Sequence, residues 1–74
     1  MSRFILQQSQ DKENYYFVTD QDNEIVIEFQ KGKFNETQKI TELNNFNPND
    51  FMKIARIMRE IGEYLYQEHQ ELLF

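Results

Sequence analysis

Residues Asn47–Tyr66 read NPNDFMKIARIMREIGEYLY. Their apolar side chains recur every three or four positions, which is the period of an amphipathic helix. The start is marked. Asn47 suits the N-cap, Pro48 the first helical position, and Asp50 brings negative charge to the first turn. No stop signal follows, so the helix is predicted over about residues 48–70, roughly 34 Å long. A six-residue strand spans only about 20 Å, so this helix is expected to overhang the sheet it covers.

Stepping about 100° per residue from Phe51 sorts the side chains around the helix. Phe51, Ile54, Ala55, Met58, Ile61, Gly62, Leu65 and His69 form one stripe, assigned to the sheet. Lys53, Arg56, Glu60, Glu63, Gln67 and Gln70 lie opposite, toward water. Ile57 and Tyr64 flank the stripe on one side and Tyr66 on the other. The whole apolar arc covers about 200°, where a surface helix needs roughly 100°. The excess has two readings. Ile57 and Tyr64 can sit at the rim with the tyrosine hydroxyl wet. Alternatively Ile57, Ile61 and Tyr64 pack on the same helix of a second copy, as an isologous homodimer requires.

Length favours the second reading. A chain of 74 residues is a single small domain, expected over 1–74, and buries only about 60% of its unfolded surface. With no cysteine and one histidine, His69, disulfides and histidine- or thiolate-based metal sites are excluded. Self-association is the staple left to a short chain. Gly62 fits close packing, since a mid-helix glycine costs about 1 kcal/mol relative to alanine. It sits two turns from Ala55, and such small residues admit a neighbouring backbone, from the chain's own sheet or from a partner helix.

The stretch before the helix reads as strands. Phe4-Ile5-Leu6 is a short apolar run, and Asp11-Lys12-Glu13-Asn14 has turn chemistry. Tyr15–Thr19 is aromatic and β-branched. Asp20-Gln21-Asp22-Asn23 makes the next turn, because Asp and Asn bond their own backbone. Ile25, Ile27 and Phe29 then alternate onto one face, and Lys31-Gly32-Lys33 turns the chain again. A weaker fourth strand is expected within Thr37–Leu43 around Ile40. The fold class is therefore α+β. An antiparallel meander of three to four strands, about residues 3–43, is followed by one long C-terminal helix packed on one face. The expected core is Phe4 or Ile5, Leu6, Val18, Ile25, Ile27, Phe29, Ile40, Phe51, Ile54, Ala55, Met58, Ile61 and Leu65. Whether Tyr15/Phe17 or Tyr16/Val18 face away from the helix depends on the register of the Asp20–Asn23 turn.

Several function classes are disfavoured. The 13 acidic and 8 basic residues give a net charge of −5, against the basic footprint of a nucleic-acid binder. The longest apolar run, Tyr15–Val18, is too short to span a membrane. Met1–Leu6 lacks the apolar stretch of a signal peptide, so the expected location is the cytoplasm. Asn35-Glu36-Thr37 matches the glycosylation pattern, which matters only in a secreted chain. No serine or threonine has a base oriented by a third group beside it. His69 reads as a rim residue favoured by the helix dipole. Only Gly32 and Gly62 are present, too few for a phosphate loop. The chain is thus expected to be no enzyme, with no cofactor and no small-molecule substrate.

Two binding alternatives stand beside the homodimeric protein-interaction module. Lys31, Lys33, Phe34 and Lys39 cluster around the third turn near Tyr15, Tyr16 and Phe17, and lysines beside aromatic platforms bind single-stranded nucleic acid. Four strands then a long helix is also the order in single-strand-binding dimers of the positive-cofactor-four type, an analogy of topology alone. A compact acidic domain can also inhibit a basic protein by mimicking nucleic acid.

VTDQDNEIVIEF, KFNETQKIT and IARIMREIGEYL together resemble a group of short uncharacterised bacterial proteins, along nearly the whole chain. The likeness rests on a TD-containing turn, an FN-x-T-Q loop and an AR-x-MRE helix. It implies a small stand-alone domain and carries no activity.

Overall fold

The computed structural model describes residues 2–44, 47 and 49–74. Strands β1 (Phe4–Gln8), β2 (Tyr15–Asp20), β3 (Ile25–Gln30) and β4 (Lys39–Leu43) form one antiparallel sheet in chain order. A single turn of helix, α1 (Phe34–Thr37), lies between β3 and β4. Helix α2 (Phe51–Glu68) follows the sheet, and a 3₁₀ turn (Gln70–Leu72) ends the chain. The architecture is the α+β meander with a C-terminal helix.

Local side-chain chemistry fixes the register. The Asp20 carboxylate accepts from the backbone N–H of Asp22 at 3.0 Å and of Asn23 at 3.3 Å. The turn then passes through Glu24 in the left-handed region, at φ 55°. Asp20 therefore pairs with Ile25, Val18 with Ile27 and Tyr16 with Phe29. These pairs line the helix-facing side, because side chains alternate along a strand. Tyr15, Phe17 and Thr19 fall on the outer face.

The β3–β4 connection needs Gly32, whose φ of 79° is free of cost only without a Cβ. The Thr37 hydroxyl then donates to Lys33 O at 2.6 Å and accepts from the Gln30 N–H at 2.8 Å. That hydroxyl clips α1 to the sheet and seats the Phe34 ring edge-on against Phe29, 5.3 Å between centroids. Phe34 becomes core, 7% exposed. Sequence patterning gave no α1 here, because one turn is too short for a periodic signal.

Helix α2 starts and stops inside its expected span. Asp50, rather than Asn47, is the N-cap, and its side chain accepts from the Lys53 N–H at 3.1 Å. Asn47 instead accepts from the Asn49 N–H at 2.9 Å, closing a turn ahead of the helix. The Pro48 placement lies outside the described residues. The helix ends at Glu68, and His69 leaves helical geometry at φ −144°. The tail then folds back, Leu72 O accepting from the Gly32 N–H at 2.7 Å. Leu72 enters the core.

The largest departure concerns the rotation of α2. Its buried residues are Ile57, Ile61 and Leu65, with Met58 and Tyr64 partly buried beside them. Phe51 is 74% exposed, and Ala55 is exposed too. The buried stripe is turned by about 60° from the one expected at 100° per residue. Two contacts to the first strand pull it round. Phe4 packs on Tyr64 at 5.0 Å between centroids, and Arg3 reaches Glu60 at 2.8 Å. On the opposite side the Phe34 ring comes within 3.4 Å of where a Gly62 Cβ would stand. The close approach at Gly62 is thus made by α1, and by neither the sheet nor another helix.

Leu72→Ala should lower stability by about 2–5 kcal/mol, the cost of emptying a packed site. Urea unfolding followed by circular dichroism checks it; an unchanged midpoint would remove the tail from the core.

Candidate interaction surfaces

Arg3 makes two ion pairs, one to the end of β2 and one to α2. Its Nε donates to Asp20 Oδ1 at 3.1 Å and its Nη2 to Asp20 Oδ2 at 2.8 Å. Nη2 also donates to Glu60 Oε1 at 2.8 Å, and the guanidinium lies 4.6 Å above the Phe4 ring. Asp20 is wholly buried, 0% exposed. Burial pushes its carboxyl pKa up, but the hydrogen bonds from Arg3 and Asn23 outweigh that and hold it below the ordinary 3.8. The Asp20 hydrogen bonds, seconded by those of Glu60, raise Arg3 against its own burial. Both Asp20 oxygens are occupied, with the Asn23 amide donating to Oδ2 at 2.9 Å. This carboxylate is a structural anchor with no lone pair turned toward a substrate.

The residues expected to carry function are scattered. Ile57 and Ile61, placed by sequence at a dimer interface, are 1% and 0% exposed inside the chain's own core. They offer a second copy no surface. Tyr64, their expected companion, packs on Phe4, and its hydroxyl shares a hydrogen bond with His69 Nε2 at 3.2 Å. Burial first, then the Glu68 carboxylate, pushes the Tyr64 pKa up. Lys31 and Lys33 are exposed in the β3–α1 turn, and Lys39 is exposed at the start of β4. Phe34, meant to sit beside them as a stacking platform, is buried and presents no ring face to a base. Tyr16 faces inward on Phe29, 6.0 Å between centroids. Tyr15 and Phe17 share the outer face with Lys39, but Lys12 closes over Tyr15 at 5.0 Å and pairs with Glu28 at 3.4 Å.

The surplus apolar surface of α2 lies on its other flank. A groove of about 650 Å³ runs along the helix. Ala55, Met58, Gly62 and Tyr66 form its helical wall, Phe34 and Gln38 the facing wall, and Leu73 one end. Arg59 and Glu63 stand on the rim, 3.7 Å apart and both well exposed. Gln38 Oε1 is buried in the facing wall without a hydrogen-bond partner among the described residues. A second hollow bordered by Met52, Arg56 and Arg59 continues the surface toward the helix start.

Sequence reasoning placed Ala55 and Gly62 in the sheet-facing stripe and so missed this groove. An arc of 200° is symmetric enough that either edge can face the core. The signal that breaks the tie is non-local: Arg3 and Phe4 bond to one edge.

Among the described residues no three metal-ligating side chains converge, and no helix is long and apolar enough to cross a membrane. Compared with protein-family models, curated proteins and solved structures, the chain matches none.

The Asp20 shift sets a pH dependence. Its folded pKa lies below the ordinary 3.8. Its stabilisation is therefore complete above that value and lost as pH falls through the folded pKa. Asp20→Asn should lower stability at pH 7 by about 3 kcal/mol, as removal of one partner of a buried pair does. It should also flatten the decline in melting temperature between about pH 4 and pH 2. Parallel acid slopes for the two proteins would assign acid unfolding to other carboxylates.

Proposed function

We propose that the chain is a small, non-enzymatic, homodimeric interaction module whose further target is another protein. One observation carries this. With its own core filled from the Ile57, Ile61 and Leu65 side, α2 still lines the groove with Ala55, Met58, Gly62 and Tyr66, and Phe51 is exposed one turn before Ala55. A contiguous apolar surface of this kind on a small domain marks an association site. The marginal core of so short a chain points the same way. A net charge of −5 directs the module toward neutral or basic protein surfaces and away from phosphate backbones. The cytoplasm is its proposed location, as a cysteine-free chain makes no use of an oxidising compartment.

Single-stranded nucleic-acid binding is the second reading, favoured by Tyr15, Phe17 and Lys39 on one sheet face. It lost its strongest element when Phe34 went to the core. A wild-type protein that shifts no labelled oligonucleotide at low salt ends it. If a salt-dependent shift occurs, replacing Lys31, Lys33 and Lys39 together should abolish it.

Sedimentation equilibrium at low micromolar concentration tests the first reading. The expected mass is twice 9.1 kDa. A species of 9.1 kDa at every concentration would refute it.

A further inference from the structure

We propose that the occupant of the α2 groove is the same groove of a second copy, with the two α2 helices packed antiparallel about a two-fold axis near residues 60 and 61. The inference rests on the homodimer reading and adds to it the surface, the sense and the pairing.

The pattern on this flank is self-complementary. In the helical period Ala55, Gly62, Tyr66 and Arg59 lie within about 60° of one another, on the face turned from the core. A two-fold axis between residues 60 and 61 sets position 55 against 66 and position 59 against 62. Ala55 of each copy then receives Tyr66 of the other, while Gly62 keeps its own Phe34 over it and Arg59 passes at the margin. An isologous interface needs this reciprocity, because every contact occurs twice.

Charge follows the same symmetry. Arg59 and Glu63 hold each other loosely at 3.7 Å, with side chains 70% and 63% exposed. Antiparallel packing carries Arg59 of one copy to Glu63 of the other, twice, at the margin of a closed apolar seam. A parallel arrangement would set Arg59 against Arg59 and Glu63 against Glu63. At the ends of the seam, exposed Phe51 and Met52 at the start of one helix come beside the C-terminal turn of the other, where Phe74 is exposed.

The test uses the intact chain and three variants at exposed positions. Ala55→Glu puts a carboxylate in the seam. Arg59→Glu and Glu63→Arg each leave only like charges at the paired positions. All three should keep the wild-type circular dichroism spectrum, and each alone should sediment at half the wild-type mass. Mixing Arg59→Glu with Glu63→Arg should restore the doubled mass. The mixture brings opposite charges together only between chains and leaves the pair within each chain broken. Reassociation therefore reports the intermolecular contact and nothing else. A wild-type dimer that all three variants leave intact overturns this interface while the homodimer reading stands. A wild-type monomer overturns both. Singles that dissociate but do not reassociate on mixing overturn the antiparallel pairing. Should Ala55→Glu fail to fold, the mixing experiment decides alone.

Discussion

The guanidinium of Arg3 holds the two layers of this protein together. It forks onto the wholly buried Asp20 at the end of β2 and reaches across to Glu60 in the middle of α2. An isolated carboxylate at zero exposure would cost several kcal/mol. Here the same group is satisfied twice over, by Arg3 from one side and by its own turn from the other. Asp20 thus shapes the β2–β3 turn, sets the strand register and anchors the residue that orients the helix. Few small domains can place so much geometry on one side chain unless its charge is fully matched.

The rotation of α2 follows from that anchor. Glu60 and Tyr64 are drawn toward Phe4 of the edge strand and Arg3 just before it, so Ile57, Ile61 and Leu65 descend into the core. The far edge of the apolar arc is lifted clear. Phe34 and the returning tail fill the space beneath it only partly, leaving the groove along Ala55, Gly62 and Tyr66. Surplus hydrophobic surface and core are therefore two consequences of one helix setting.

Several polar groups of the described residues are engaged within the fold. The most buried carboxylate is tied up by Arg3, and the imidazole sits at the helix end with its ring nitrogen bonded to Tyr64. The Thr37 hydroxyl is a structural clip. The outer sheet face carries Tyr15 and Phe17, yet Lys12 folds over the first and neutralises Glu28. Among the described residues, one flank of α2 stays exposed and apolar along the groove.

The sequence by itself determined the strands and the long helix, in order, and most of the sheet, but neither α1 nor the 3₁₀ turn. Turn-forming Asp and Asn, the alternation of Ile25, Ile27 and Phe29, and the three- to four-residue period after Asn47 are local signals. Each is read within one element, because backbone geometry repeats within it. Tertiary structure alone decided the helix rotation, the return of Leu72, the burial of Phe34 and hence the place of the groove. Those depend on contacts between residues far apart in the chain, Arg3 with Glu60 and Gly32 with Leu72. Periodicity shows how much of a helix is apolar. Which part of that surface turns inward is settled by the partner charges and rings that reach it.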